Sequence, residues 1–136
     1  MIGVVVVTHG QLATELVNAA EMIVGDLPQF TAVSIGWHDD VNDAREEISQ
    51  AIDRVRGDEG VLLLTDMFGG TPSNLGMTFI EKDRLEVITG VNLPMLIKLA
   101  GSRQSADLLA LAKDMRQHGR DAIWVASDFL RGEKGA

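Results

Sequence analysis

Short apolar runs rich in β-branched residues alternate along the chain with longer stretches whose apolar residues recur every three or four positions. Runs of the first kind predict buried strands, and stretches of the second kind predict helices that pack one face on a core. The predicted strands are residues 1–8, 30–35, 60–66, 85–89 and 122–126. The predicted helices are residues 11–24, a helix that Asp39 or Asp40 caps and Gly57 ends, and residues 71–80, 94–100 and 105–117.

This alternation of strands and helices is typical of an open, mostly parallel sheet with helices on both faces. The sequence therefore predicts a three-layer α/β fold of the flavodoxin-like kind, with its first four strands in the order 2-1-3-4. A length of 136 residues with 46% hydrophobic residues fits one domain, which we place at residues 1–130 with a tail at residues 131–136. In such folds, ligands bind beyond the carboxyl ends of the strands, where the strand order reverses.

The composition narrows the classes of partner and location. The chain has no cysteine, which excludes disulfides and thiolate metal sites and agrees with a reducing cytoplasm. Its formal net charge of −8 disfavours nucleic acid and anionic membrane surfaces as partners and suits a basic protein. The N-terminus has no basic leader, and no apolar run approaches the roughly 20 residues of a membrane span. We therefore expect a cytoplasmic protein without direct membrane insertion.

Two ionisable residues stand at the carboxyl ends of predicted strands. His9 follows the opening valine run, and Asp66 closes the mid-chain stretch "GVLLLTD". Because the first and third strands are neighbours in the 2-1-3-4 order, we expect these two side chains to meet. A carboxylate that accepts a hydrogen bond from one imidazole nitrogen fixes the tautomer, points the other nitrogen outward and stabilises a positively charged ring. The pair therefore predicts a nucleophilic histidine.

The segment after the mid-chain aspartate, "MFGGTPSN", predicts a turn followed by a helix. We expect Gly69 and Gly70 to form the turn, Thr71 to cap the helix and Pro72 to be its first residue. The backbone N–H groups of such a turn favour an anion, to which the hydroxyls of Thr71 and Ser73 can donate. The sequence lacks the lysine of a nucleotide P-loop and a Gly-x-Gly-x-x-Gly motif, so we expect a small phosphoryl group. No Lys or Arg lies between residues 66 and 80, which favours passing that group on over retaining it.

Each of these features also has an ordinary structural explanation. A lone histidine is more often a hydrogen-bonded structural residue, an aspartate can cap the turn that follows it, and "GGTP" can be a tight turn. Their convergence on one predicted crevice favours a function. We assign no role to His38 or His118, and we interpret the acidic run of residues 39–47 as a solvated helix face. Trp37 and Phe68 flank the crevice, either as core residues or as contacts for a docking protein.

Three motifs, "VVVVTHG", "GVLLLTDMFGGTPSN" and "VITGVNLPML", together resemble the mannose-family enzyme IIA of the bacterial sugar phosphotransferase system, over essentially the whole chain. The resemblance implies that His9 accepts phosphate from the histidine-containing phosphocarrier protein and donates it to a IIB partner. It implies that Asp66 holds one ring nitrogen, that Nε2 is phosphorylated and that residues 69–72 lie against the phosphoryl group, without a metal or other cofactor. It also implies a homodimer, with an antiparallel C-terminal strand that the subunits can exchange.

The best-known form of that family continues through an Ala/Pro-rich linker into a IIB domain, whereas we expect this chain to act as a separate IIA in sugar uptake or regulation. Three alternatives stay open. A receiver-like signalling domain phosphorylated on Asp66 needs an acidic pair where this chain has Thr8 and His9, and a flavin module fits "THGQLA" poorly. The phosphocarrier subunit of a dihydroxyacetone kinase system shares the fold, but "FGGTPSN" favours the mannose family.

Overall fold

A computed structural model describes residues 1–104 and 107–132, in which strands and helices alternate for most of the chain. The strands are β1 (Gly3–His9), β2 (Phe30–Ile35), β3 (Val61–Thr65) and β4 (Leu85–Thr89). The helices are α1 (Leu12–Val24), α2 (Val41–Val55), α3 (Thr71–Met77), α4 (Leu93–Ala100), α5 (Leu108–Asp121) and α6 (Ala126–Leu130). Among these described residues, no helix is long and apolar enough to cross a membrane.

The four strands form one sheet in the order β2-β1-β3-β4, and every pairing in it is parallel. This confirms the predicted order and places β1 and β3 side by side at the centre of the sheet. The register pairs His9 with Ile35 of β2, and Val7 with Thr65 of β3. The carboxyl ends of these three strands therefore lie at one edge of the sheet, which we call the carboxyl edge.

Helices cover both faces of the sheet, so the three-layer architecture is confirmed. Residues 4–7 of β1 are four consecutive valines that are fully buried, and their side chains alternate between the two faces. Val4 and Val6 pack with α1, α4 and α5 in one core, while Val5 and Val7 pack with α2 and α3 in the other. A strand buried on both faces holds its last residue on a rigid support, and that residue is His9.

A buried arginine ties the chain together at the opposite, amino edge of the sheet. Arg103, in the loop after α4, is 1% exposed, and its guanidinium donates to the carbonyls of Ile2 (3.3 Å), Gln29 (3.1 Å) and Pro28. Its guanidinium carbon lies 5.3 Å from the centre of the Phe30 ring. Burial lowers the pKa of Arg103 from its ordinary value. These contacts join the starts of β1 and β2 to the loop that leads into α5.

The C-terminal segment differs from the prediction. Residues 122–125 form no strand, and a short helix, α6, follows them, so the sheet in the described residues has four parallel strands and no antiparallel one. The apolar side chains that predicted a buried strand are largely exposed: Ile123 at 66%, Trp124 at 43% and Val125 at 64%. Among the described residues the segment pairs with no strand, and the backbone N–H groups of Ala122 and Ile123 donate to carbonyls of α5 instead. The strand predicted from the apolar run at residues 122–126 is therefore wrong.

Helix ends show smaller differences. Gly70, rather than Thr71, is the N-cap of α3, and Thr71 is the first helical residue. The helix ends at Met77 rather than Ile80, because the Thr78 hydroxyl and tight turns take over the backbone hydrogen bonds. At α2 the prediction is confirmed for Asp40, whose carboxylate accepts from the backbone of residues 42 and 43. The predicted start of the fifth helix, at residues 105 and 106, lies outside the described residues, and α5 extends beyond Gln117 to Asp121.

Candidate functional site

The structure brings His9 and Asp66 together at the carboxyl edge. His9 Nδ1 lies 2.8 Å from Asp66 Oδ2, and the backbone N–H of His9 donates to the same oxygen at 3.1 Å. The other carboxylate oxygen, Oδ1, accepts from the backbone of Met67 at 3.1 Å. Because a carboxylate only accepts hydrogen bonds, Nδ1 is the protonated nitrogen of the neutral ring, and Nε2 is the nitrogen with the lone pair. The imidazole is thus held on its Nδ1 side by a group that favours positive charge on the ring.

Exposure separates the two partners. The His9 side chain is 51% exposed and the Asp66 side chain only 15%. The carboxylate therefore lies beneath the ring, while the ring itself reaches solvent. A protein that approaches this edge meets the imidazole before the carboxylate, and both oxygens of the carboxylate already accept hydrogen bonds.

The backbone around His9 is fixed by a residue that the sequence did not single out. Thr8 is fully buried, and its hydroxyl accepts from the Ala13 backbone at 2.6 Å and donates to the His9 carbonyl at 3.2 Å. On the other side, the Gly10 N–H donates to the Ile35 carbonyl at 2.8 Å, with Gly10 in the left-handed region at φ 57°. The turn from β1 to α1 is therefore anchored on both sides. In the sequence, the threonine directly before His9 was the feature that could have indicated this anchoring role.

Gly70 lies directly against the outward edge of the imidazole. A Cβ placed on Gly70 would lie 3.0 Å from both Nε2 and Cε1 of His9. The residue has φ 86° and ψ 170°, a region that is essentially restricted to glycine. Space and backbone conformation therefore both require glycine at this position, and the backbone of the loop runs beside Nε2.

The five loop residues singled out by the sequence divide into two groups. Gly70 and Thr71 line the surface next to His9. Ser73 is fully buried and accepts at Oγ from the Gly69 backbone at 3.2 Å, and Pro72 is buried with it. Gly69, Pro72 and Ser73 thus shape the loop, while Gly70 and Thr71 face the site. The predicted hydrogen bond from Ser73 to an anion does not fit this burial.

An open depression of about 520 Å³ lies beside the imidazole. It is lined by His9, Gly10, Ile35, Gly36, Trp37, Gly70 and Thr71. No lysine or arginine belongs to that lining, and the described part of the chain contains no group of three or more metal-ligating side chains. The arrangement offers one imidazole nitrogen, a neutral backbone wall and an apolar rim.

The other residues that the sequence singled out lie in exposed loops or at a helix end. Trp37 is 99% exposed and Phe68 is 73% exposed, so neither is a core residue. His38 is exposed in the turn after β2, and His118 lies in the last turn of α5, as expected from its position. Asp39 accepts from the Gly36 backbone at 2.7 Å and supports the turn next to the depression.

Comparison with known proteins adds a family. The family model EIIA-man, described as PTS system fructose IIA component, matches residues 3–115. The chain is 31% identical to the PTS system fructose-specific EIIA component of Bacillus subtilis (strain 168), across 100% of this chain and 94% of the relative. It is 32% identical to the PTS system mannose-specific EIIAB component of Escherichia coli (strain K12), across 90% of this chain but only 39% of the relative.

Solved structures agree in fold. The mannose/sorbose specific IIA subunit of the phosphotransferase system from Enterococcus faecalis superposes with a TM-score of 0.81 at 29% identity, over 91% of this chain and 93% of the other. Phosphotransferase system component EIIA from Streptococcus agalactiae reaches a TM-score of 0.83 at 24% identity, over 93% of this chain and 98% of the other. The second likeness concerns the fold alone.

Proposed function

The chain belongs to the EIIA-man family of phosphotransferase-system IIA components, and from this premise we propose that it carries phosphate on His9. In this proposal the histidine-containing phosphocarrier protein is the donor and a IIB component is the acceptor, and transfer takes place in the cytoplasm. The observation that carries the proposal is the 2.8 Å contact between His9 Nδ1 and Asp66, which leaves Nε2 unblocked at a half-exposed position.

The chemistry follows from that geometry. The Nε2 lone pair attacks the phosphorus of the donor's phosphohistidine, a new N–P bond forms, and the donor's imidazole leaves with the electron pair of the broken N–P bond. The proton on Nδ1 stays in place, so the phosphorylated ring carries a positive charge that the Asp66 carboxylate balances. Onward transfer to the acceptor's histidine is the same displacement in the opposite sense. Asp66 is a positioning and electrostatic group throughout.

The loop beside Nε2 gives the phosphoryl group its surroundings. We place its oxygens against the backbone of Gly70 and Thr71, because these residues line the depression next to the reactive nitrogen. Neutral N–H donors hold an anion more weakly than a lysine or arginine does. Such a site suits a group that must leave again.

The test is phosphorylation of the purified chain with phosphoenolpyruvate, enzyme I and the phosphocarrier protein, followed by intact mass. We expect one phosphoryl group that is lost at low pH, because an N–P bond is acid-labile. The chain has three histidines, so His38→Ala and His118→Ala serve as matched controls that keep the label while His9→Ala loses it. A label that survives acid, or that persists in His9→Ala, contradicts the proposal.

An aspartyl phosphate on Asp66 is the main chemical alternative, and the geometry disfavours it. Both Asp66 oxygens accept hydrogen bonds, and its side chain is 15% exposed beneath the imidazole. A phosphoryl group there would have to displace the His9 contact. An acyl phosphate hydrolyses in alkali whereas the N–P bond of a phosphohistidine is stable there, so loss of the label at high pH would support this alternative.

We further propose that the chain forms a homodimer through its C-terminal segment. Ile123, Trp124 and Val125 are exposed on one segment, and a groove of about 270 Å³ lies along the outer strand β4 and α5. Apolar residues exposed together favour burial against another chain. Sedimentation velocity tests this: Ile123→Asp with Val125→Asp should shift the chain to a monomer, whereas Met22→Asp, at a distant exposed position, should not. A wild-type monomer at all concentrations overturns it.

A further inference from the structure

Three large apolar side chains are exposed at the carboxyl edge, in the loops that follow β2 and β3. Trp37 is 99% exposed, Phe68 is 73% exposed and Met67 is 54% exposed. A single exposed apolar residue is ordinary, but a group beside a reactive side chain marks a contact surface. A tryptophan is also the residue most often found to dominate binding at protein interfaces.

The strand order places these side chains on both sides of the imidazole. Trp37 follows β2 and lines the same depression as His9, whereas Met67 and Phe68 follow β3. Because β1 lies between β2 and β3, His9 stands between the two apolar groups. Neighbouring strands lie about 4.8 Å apart, so the two groups are roughly 10 Å apart across the sheet. A protein that reaches Nε2 therefore meets them both.

The surroundings of this surface are acidic. Residues 36–47, which run from Trp37 into α2, contain five acidic side chains against one basic side chain, Arg45. The acidic ones are Asp39, Asp40, Asp43, Glu46 and Glu47. No lysine or arginine lies between residues 66 and 80 on the other side of His9. A partner that brings a doubly negative phosphoryl group to this edge must supply the compensating positive charge itself.

We propose that Trp37, Met67 and Phe68 form the docking surface for the protein that donates phosphate to His9. The matching face of that donor is an apolar patch surrounded by lysine or arginine, with its phosphohistidine at the centre. This inference rests on the proposed function. We assign the surface to the donor because the donor carries the negatively charged phosphoryl group when it docks and therefore needs a basic face. The acceptor docks without that group, and the negative charge of this edge favours departure of the phosphoryl group from His9.

The test compares a protein donor with a small one. With the phosphocarrier protein as donor, Trp37→Ala should raise KM roughly 10- to 100-fold and change kcat less than about twofold. Phe68→Ala, which lies outside the lining of the depression, should show a similar rise in KM with the phosphocarrier protein, and with phosphoramidate, which needs no docking surface, it should be phosphorylated at the wild-type rate. Trp37 is fully exposed, so its loss leaves the fold intact. Met22→Ala, an 87% exposed apolar residue on α1 near the amino edge, is the matched control and should behave as wild type.

The two failures are distinguishable. If neither donor phosphorylates the wild-type chain at His9, the proposed function fails. If both donors work and Trp37→Ala leaves the KM for the phosphocarrier protein unchanged, the docking surface is wrong while the carrier role stands. If Trp37→Ala loads normally but transfers slowly to the IIB component, the surface belongs to the acceptor and the assignment to the donor is overturned.

The proposed basic face of the donor can be tested separately from the apolar contact. Asp43→Asn combined with Glu47→Gln removes two exposed charges of α2 beside the surface. This variant should raise KM for the phosphocarrier protein several-fold at low salt and flatten the rise of KM with ionic strength, because charge at a rim acts mainly on encounter. A KM that is independent of salt in the wild type contradicts the basic partner face.

Discussion

The close approach of Gly70 to His9 allows the site to be perturbed by a single methyl group. Gly70→Ala places a Cβ 3.0 Å from Nε2 and Cε1, where ordinary contacts between carbon atoms are 3.5–4.0 Å. The ring must therefore shift by roughly 0.5–1 Å, against the 2.8 Å hydrogen bond that holds Nδ1 to Asp66. The added methyl group also stands on the side where the phosphoryl group must form its bond.

The expected effect of Gly70→Ala has two components: a loss of stability from the backbone conformation and a loss of rate from displacement of the imidazole. An alanine at φ 86° and ψ 170° costs about 1–3 kcal/mol, which lowers Tm by about 4–12 °C for a domain of this size. A displacement near 1 Å of a reacting group costs on the order of 100-fold in rate. We therefore expect Gly70→Ala to load phosphate roughly 100-fold more slowly at a temperature well below its Tm.

Gly69→Ala separates the two parts. Gly69 has a comparable φ of 89°, but a Cβ there meets no atom within 4 Å. This variant should lose stability to a similar degree and still load phosphate at the wild-type rate. Because Gly70→Ala blocks the atom itself, it should be slow with phosphoramidate as well as with the protein donor.

The assay is the initial rate of mass increase by one phosphoryl group, with Tm measured by calorimetry on the same samples. Wild-type loading in Gly70→Ala would refute the reasoning, since Nε2 would then not need the space beside Gly70. Equal slowing in Gly69→Ala and Gly70→Ala would show that the conformation of the loop, rather than the contact with the ring, controls the rate.

Three further predictions concern the groups behind the site. Asp66→Asn retains an acceptor for Nδ1 but removes the charge, so rapid-quench loading should slow roughly 100-fold, and unchanged loading would remove the carboxylate charge from the mechanism. Thr8→Val leaves the Ala13 N–H without its 2.6 Å acceptor, so urea denaturation should show a loss of about 1–3 kcal/mol that Thr8→Ser recovers. Arg103→Met removes the buried guanidinium donors at the amino edge, so urea denaturation should show a loss of at least about 3 kcal/mol in the free energy of unfolding. The folded variant should load phosphate at the wild-type rate at 20 °C. Slow loading in a folded variant would contradict a purely structural role.

Local patterns predicted the parts of this molecule that depend on a repeating contact. The valines of β1 and the leucines of β3 pack on both faces, so their apolar runs mark buried parallel strands, and the polar residue that ends each run marks the carboxyl edge. The cap of α2 was also predictable, because Asp40 satisfies two backbone N–H groups within its own turn. The adjacency of His9 and Asp66 followed from the strand order.

Features that depend on contacts between distant segments were not predictable. Nothing local in "FGGTP" shows that Gly70 meets an imidazole 61 positions earlier in the chain, or that Ser73 is buried while Thr71 faces the depression. The segment "AIWVA" has the composition of a strand, but strand formation also needs pairing, and within the described residues this segment pairs with neither outer strand, β2 or β4. Composition reports what a segment prefers and not whether a partner is present.

In the part of the chain that the structure describes, no lysine or arginine lines the depression beside His9, and this bears on how the site handles phosphate. A carrier that exchanges one N–P bond for another gains little free energy from the bond itself, so any extra affinity for the phosphoryl group would slow its departure. Asp66 stabilises the charged ring in the phosphorylated state, and the loop around Gly70 offers neutral backbone instead of a lysine or arginine. The carboxylate on the Nδ1 side thus makes the ring reactive, while the neutral backbone on the Nε2 side holds the phosphoryl group only weakly. Thr71→Lys, which places a cation in the lining, should therefore load normally and slow the second transfer, and faster transfer to the acceptor would contradict this argument.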